Sequence, residues 1–170
     1  MKRSMLSLAF IPCLIAAAAP APLPPVGCVR VEVGAGGASS TSQAPRFAVT
    51  KVLDLTFTVL FSPSFFGDHV VDLKVFTPDG QLYRSMAVPI NDGKRPAGVR
   101  SVAGYPRPVR ERAVTQVTRD RATWAAVAIP FPVAGTDIVS SGLYGRWRVQ
   151  AHFDDNPDPC APATYFFLNP

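Results

Sequence analysis

The sequence predicts an all-β protein, a single sandwich of about seven short strands. Apolar residues alternate with polar residues in several segments, which is the pattern of strands that are buried on one face only. Turns rich in proline, glycine and aspartate separate these segments. No stretch long enough for a stable helix combines helical periodicity with capping residues at both ends.

Length and composition agree with one globular domain. The chain has 170 residues and a mass of 18.2 kDa, with 48% hydrophobic residues and 17 basic residues against 12 acidic ones. These values exclude collagen, long disordered tails and a polytopic membrane protein. A chain of this length buries enough surface for one core, so we predict a single domain over residues 28–170.

The N-terminus has the features of a secretory signal peptide. Lys2 and Arg3 precede an apolar run at residues 5–18 that is too short to span a bilayer, and small residues lead up to Ala19. We predict a signal peptide at 1–18, cleaved after Ala18 or nearby. The mature protein is then exported, periplasmic or secreted from a bacterial cell, with no transmembrane span. An uncleaved anchor helix is the alternative.

The cysteines predict one disulfide. Cleavage removes Cys13 and leaves Cys28 and Cys160, and two cysteines in an exported protein are most simply paired. They open the first and last predicted strands, whose starting ends are neighbours if these strands run side by side in parallel. Two unpaired buried thiols are the alternative. A metal pair is disfavoured because neither cysteine has a second cysteine or a histidine nearby in sequence.

The predicted elements follow one another in chain order. Residues 19–27 form a stiff, proline-rich lead-in. Seven segments then have strand patterns, at 28–33, 52–61, 69–77, 81–90, 113–130, 142–153 and 160–168. Residues 78–80, Pro-Asp-Gly, form a turn that joins the flanking strands into a hairpin. Residues 34–45 are a loop, and residues 154–159 are a turn.

Alternation is clearest in the segment 142–153. It predicts that Trp147, Val149, Ala151 and Phe153 face inward and that Arg146, Arg148, Gln150 and His152 face outward. The prolines at 130 and 132 predict a sheet edge or a strand end in the preceding segment.

A basic loop is predicted at residues 91–112, inserted between two strands. The segment holds six basic and two acidic residues, three prolines and three glycines, and it has no periodicity. Loops of this length are usually functional or disordered, so a solvated flexible insertion is the alternative. The candidate anion-binding residues are Lys94, Arg95, Arg100, Tyr105, Arg107, Arg110 and Arg112, with Tyr105 as an aromatic platform.

Two segments carry a resemblance to a known family. They are Val70–Arg84, VVDLKVFTPDGQLYR, and Gly142–Phe153, GLYGRWRVQAHF, with its Gly-x-Trp-x-Val core. They resemble the bacterial immunoglobulin-like or fibronectin type III-like domains of secreted and cell-surface proteins. The resemblance implies an immunoglobulin-like sandwich with a structural or binding role, and it carries over no site residues. The chain lacks the cysteine pair of antibody domains, and its tryptophan lies on the penultimate strand.

Catalytic chemistry finds little support in the sequence. After cleavage the histidines are His69 and His152, and no Gly-x-Ser-x-Gly pattern is present. Glu32, Asp54 and Asp72 alternate outward on predicted strands, where solvation explains them. We therefore predict a non-enzymatic protein without cofactors.

Among the metals, calcium has the most support in the sequence. Asp154, Asn156 and Asp158 have the spacing at which an oxygen-rich calcium loop begins. Prolines 157 and 159 stiffen the segment, and no acidic residue occupies the distal ligand position. A proline-rich acidic turn is therefore preferred, and no metal is predicted.

The expected function is protein interaction, envelope assembly or adhesion, with another envelope or extracellular protein as the partner. The alternative is a module that binds an anionic glycan or another polyanion through the basic loop. Nucleic acid is not expected as a partner of an exported protein. Trp124 and Trp147 could stack on sugars, although Trp147 is predicted to lie in the core.

Overall fold

The structure, a computed structural model, describes residues 27–36, 38–40 and 44–170. The predicted signal peptide at 1–18, and all of the lead-in except Gly27, lie outside the described residues. The described residues form thirteen strands and one helical turn. They are β1 (Cys28–Ala35), β2 (Ala38–Ser40), β3 (Arg46–Ala48), β4 (Asp54–Phe61), β5 (His69–Phe76), β6 (Leu82–Asn91), β7 (Val99–Arg100), β8 (Val109–Arg110), β9 (Arg112–Ala113), β10 (Thr115–Arg119), β11 (Ala122–Pro132), α1 (Asp137–Ser140), β12 (Gly145–Phe153) and β13 (Thr164–Asn169).

The all-β prediction is confirmed, but the prediction of a simple sandwich of about seven strands is wrong. Each predicted segment contains a long strand, and residues 113–130 prove to hold a hairpin of β10 and β11. Five further strands have only two or three residues. Such strands are too short to produce a periodic pattern, so the sequence does not reveal them.

The first sheet has five strands in the order β10-β11-β4-β1-β2, and every neighbouring pair is antiparallel. The last residue of β11 that β10 covers is Ala126. The far half of β11, with Pro130 and Pro132, therefore has a free side among the described strands. Because proline has no N–H to donate, this local edge is where the two prolines fit.

The second sheet has six strands in the order β3-β13-β12-β5-β6-β9. It is mixed, since β3 runs parallel to β13 and β9 runs parallel to β6. The strands β7 and β8 form a separate two-stranded sheet.

One hydrophobic core lies between the two large sheets. Phe57 of the five-stranded sheet contacts Phe166 of the six-stranded sheet, with ring centroids 5.8 Å apart, and Phe131 contacts Trp147 at 6.3 Å. The Trp147 side chain is fully buried, and its Nε1–H donates to the carbonyl oxygen of Leu143 at 3.0 Å. The prediction that Trp147 belongs to the core is confirmed.

The disulfide Cys28–Cys160 is present at one end of the two layers. Cys28 begins β1, and Cys160 lies in the turn before β13. The predicted reason for their proximity is wrong, because β1 and β13 belong to different sheets instead of lying side by side in one. The bridge therefore links the two layers.

Two polar residues on outward positions are buried, contrary to prediction. Glu32 is 4% exposed because Arg30 and Arg119 lie against its carboxylate, at 2.8 and 3.1 Å. His152 is 7% exposed, because the turn at 154–159 folds back until its Nδ1 is 3.2 Å from the carbonyl oxygen of Asn156. Within the described chain, no helix is long and apolar enough to cross a membrane.

Candidate functional site

The basic insertion at 91–112 is anchored at its base by Asn91. This residue is fully buried at the end of β6, and its side-chain oxygen accepts from the N–H of Gly93 at 2.9 Å. Its carbonyl oxygen accepts from the N–H of Val114, also at 2.9 Å, where the chain returns. Gly93 has φ +79°, and an added Cβ would stand 2.7 Å from the carbonyl oxygen of Val114. Both the turn and the close approach therefore require glycine at this position.

Inside the insertion, Arg95 and Glu111 form the principal ion pair. The Glu111 carboxylate accepts from Nη1 and Nη2 of Arg95 at 2.6 and 2.9 Å, and from the N–H of Gly98 at 3.1 Å. The Arg95 hydrogen bonds, followed by that of Gly98, lower the pKa of Glu111 from its ordinary 4.5 to about 2. Arg95 also donates to Asp68 at 2.7 Å. Arg95 is thus engaged within the protein instead of being offered to a ligand.

Two more of the predicted anion-binding residues, Arg100 and Tyr105, hold the insertion in place. Arg100 donates to the carbonyl oxygen of His69 at 2.6 Å. Lys94 pairs with Asp92, two residues earlier, at 3.1 Å, and its side chain stays exposed. The Tyr105 hydroxyl accepts from the N–H of Ala87 at 2.6 Å. The Tyr105 hydroxyl therefore anchors the insertion to β6, while the Tyr105 ring stays partly exposed.

Arg107, Arg110 and Arg112 are the candidates that stay available. All three side chains are exposed, and within the described residues they make no hydrogen bond or ion pair. Arg110 and Arg112 line a shallow cavity of about 410 Å³ on either side of Glu111. Of the seven candidates, three thus order the insertion, Lys94 forms an exposed surface pair, and the three arginines at 107, 110 and 112 can meet a ligand.

Order replaces the predicted irregular loop. Residues 99–100 and 109–110 pair as β7 and β8, and β9 joins the edge of the six-stranded sheet beside β6. The segment has no periodic sequence pattern because polar anchors, and not a buried apolar row, hold it in place.

Two of the three calcium candidates, Asp154 and Asn156, already have side-chain partners in the protein. Asp154 accepts from the N–H of Val70 at 2.9 Å and faces His69 Nδ1 at 2.5 Å. The side-chain oxygen of Asn156 accepts from the N–H of Asp158 at 3.0 Å. No group of three or more metal-ligating His, Cys, Asp or Glu side chains occurs in the described part of the chain.

A groove of about 870 Å³ lies at the disulfide end of the sandwich. Its apolar walls are Phe65, Phe66, Trp124 and Phe153, with the Cys28–Cys160 bridge beside them. Phe66 is 61% exposed, a large value for an aromatic side chain. Sequence reasoning missed this groove. The available signal was the adjacent Phe65-Phe66 pair in a segment that otherwise has loop composition.

His69 holds the loop that carries Phe66. Its Nε2 lies 2.9 Å from the carbonyl oxygen of Phe66, and its ring packs on Phe153 with centroids 4.6 Å apart. The backbone of His69 also binds Arg100 of the insertion. The loop that carries Phe66 is thus tied to the basic insertion at His69, and also at Asp68, which accepts from Arg95.

No protein-family model matches the chain, and no curated protein matches it either.

Proposed function

We propose that the chain is an exported, immunoglobulin-like β-sandwich that binds another envelope or extracellular protein and has no enzymatic role. Two packed β layers and a bridge between their ends are consistent with such a module, since disulfides persist in oxidising compartments. The observation that carries the proposal is the aromatic groove at the disulfide end, which exposes Phe66 as an anchor of the kind found at interaction hot spots.

The partner segment that fits the groove is apolar and uncharged. Four aromatic side chains and Val29 line it, and the only carboxylate among the lining residues, Asp154, is already bound by His69 and Val70. Binding at such a surface depends on the burial of apolar area, so it should be insensitive to salt.

A photo-crosslinking amino acid at position 66 tests this proposal. Leu53 gives a matched control, because it is 76% exposed and lies at the opposite end of β4. The full-length chain should form an adduct with one envelope protein from position 66, at low and high salt alike, and none from position 53. The adduct formed by a label at the neighbouring position 64 should be lost with Phe66→Ser. Equal adducts from positions 66 and 53, or none from 66, contradict the proposal.

Binding of an anionic glycan or another polyanion through the insertion is the second candidate function. It is favoured by one observation, the exposure of Arg107, Arg110 and Arg112 without protein partners among the described residues. The triple variant R107Q/R110Q/R112Q should then lose most of its salt-dependent binding to heparin. Unchanged heparin binding would exclude the insertion as the site.

A further inference from the structure

The outer surface of the six-stranded sheet carries three arginines, each stacked on an aromatic ring. Arg46 lies over Phe167 with Cζ 4.1 Å from the ring centroid, Arg146 over Tyr165 at 3.8 Å, and Arg148 over Phe76 at 4.1 Å. We call these six residues the arginine face. They come from four strands that are adjacent in the sheet, β3, β13, β12 and β5.

The register of the strands arranges the residues of the arginine face in two rows across the sheet. In the first, Phe167 stands directly between Arg46 and Arg146, and in the second, Arg148 stands directly between Tyr165 and Phe76. The rows are two residues apart along β12, roughly 7 Å, and Arg46 and Arg146 are two strands apart, roughly 10 Å. The alternate residues of these strands, such as Trp147 and Phe166, are buried in the core, so the sheet backbone fixes the layout.

The guanidinium groups of the arginine face are held in place but are not neutralised. Arg46 and Arg146 are exposed and Arg148 is half-buried, and among the described residues none of the three makes a hydrogen bond or an ion pair. Each guanidinium thus lies over a ring, and its N–H groups have no protein acceptor among the described residues. The N–H edge of a guanidinium group binds carboxylate or sulfate with two parallel hydrogen bonds.

Charge on this side of the sheet is strongly one-sided. Lys74, on β5, occupies the next row beside Gln150. The carboxylate of Asp72 lies one row further on, where it accepts from the Ser85 hydroxyl at 2.6 Å. The exposed arginines of the insertion stack on no aromatic ring of the described chain. The stacked arginines of the arginine face are already ordered, so binding costs them less conformational entropy.

We propose that the arginine face binds an extended acidic polysaccharide through its carboxylate or sulfate groups. The flat surface and two rows of fixed cations suit a linear chain with regularly spaced anions. A lipid surface fits less well, because the rings that could enter a bilayer are capped by the guanidinium groups. This proposal is independent of the groove and of the partner protein proposed for it. It competes with the second candidate function, in which the insertion and not the arginine face binds the polyanion, and the two make opposite predictions for R107Q/R110Q/R112Q.

The test compares two triple variants that remove the same charge. R46Q/R146Q/R148Q alters the arginine face, and R107Q/R110Q/R112Q alters the insertion. Binding of the full-length chain is measured by titration calorimetry with heparin as the sulfated probe and polygalacturonate as the carboxylated one, at several salt concentrations. Vesicles of phosphatidylglycerol form the third arm.

The arginine-face variant should lose about tenfold or more in affinity for at least one polysaccharide, and the insertion variant less than about threefold. Affinity of the unaltered protein should fall as salt rises. Equal losses in both variants, loss in the insertion variant alone, or no binding to either polysaccharide overturns the proposal. Tighter binding to the vesicles, lost in the arginine-face variant, assigns the face to a membrane instead.

A triple lysine variant keeps the proposal testable if the glutamine variant fails to fold. R46K/R146K/R148K keeps the charge and the long apolar side chain but removes the planar, two-pronged donor. Its affinity should fall several-fold while its circular-dichroism spectrum stays unchanged. Affinity equal to that of the unaltered protein would show that the guanidinium geometry is not used, and would overturn the proposal. The crosslink from position 66 should persist in all these variants, so the two proposals fail separately.

Discussion

Glu111 accepts two hydrogen bonds from Arg95, at 2.6 and 2.9 Å, and so ties the beginning of the basic insertion to its end. Glu111 is 4% exposed and Arg95 is 44% exposed, so the pair stands at the boundary between protein and water. A segment with three prolines and three glycines is ordered around this contact.

The low pKa of Glu111, about 2 in place of 4.5, predicts a specific acid sensitivity. A carboxylate with a depressed pKa in the folded state stabilises the fold above its unfolded pKa, and this stabilisation is lost as the pH falls through the folded pKa. E111Q should therefore have a lower urea midpoint than the unaltered protein at pH 7, and the difference should shrink between about pH 4.5 and pH 2. D155N, at an exposed carboxylate, is the control and should show no such trend. A constant difference across this pH range would contradict the assignment.

Removal of the disulfide that links the two layers should lower the free energy of unfolding. Cys28 and Cys160 are 132 residues apart, and in the chain-entropy model closing a loop of that length stabilises the folded state by about 5 kcal/mol. C28S/C160S should therefore lose most of this free energy of unfolding in urea titrations without reductant. Adding reductant should destabilise the unaltered protein by a similar amount and leave the variant unchanged. If reductant has no effect on the unaltered protein, the bridge does not contribute.

Trp147 and Trp124 should respond differently to the same substitution. Trp147 is fully buried between the sheets and donates to Leu143, whereas Trp124 is half-buried at the groove. W147F should lower the free energy of unfolding by about 1–3 kcal/mol, through a cavity and an unpaired carbonyl. W124F should cost less than about 1 kcal/mol. Thermal unfolding followed by circular dichroism compares the two, and equal losses would contradict the core assignment.

The turn between β10 and β11 contains a residue whose replacement should stabilise the protein. Asp120 and Arg121 both have positive φ, 52° and 64°, as in a two-residue hairpin turn. Arg121 is strained there, while Asp120 tolerates the conformation and also accepts from Arg30 at 3.0 Å. R121G should raise the free energy of unfolding by about 0.5–1 kcal/mol, and A122G, one residue later in the strand, should lower it by a similar amount. Destabilisation by R121G would show that the turn is not strained.

The long strands were predictable because their sequences alternate between apolar and polar residues, as around Trp147. Glu32 and His152 follow the same alternation, yet they are buried, since Arg119 and the turn at 154–159 come from distant parts of the sequence to cover them. The sequence pattern of a strand reports its two faces but not what later folds over them.

The candidate surfaces were less predictable than the fold. The basic composition of residues 91–112 drew attention to the insertion, although three of its seven candidates, such as Arg95, serve to order it. The arginine face escaped notice because Arg46 and Phe167 become neighbours only through strand pairing. The aromatic groove likewise depends on residues from both sheets.

The pairing of β3 with β13 constrains how the molecule assembles. β3 (Arg46–Ala48) has no other partner among the described strands, and β13 (Thr164–Asn169) follows it only after most of the chain. A newly synthesised polypeptide therefore cannot close its second layer until residues 164–169 have emerged. Contacts of such long sequence separation slow the final step of folding. Such a delay suits the proposed export, because a chain that has not yet closed can still be threaded through a translocation pore.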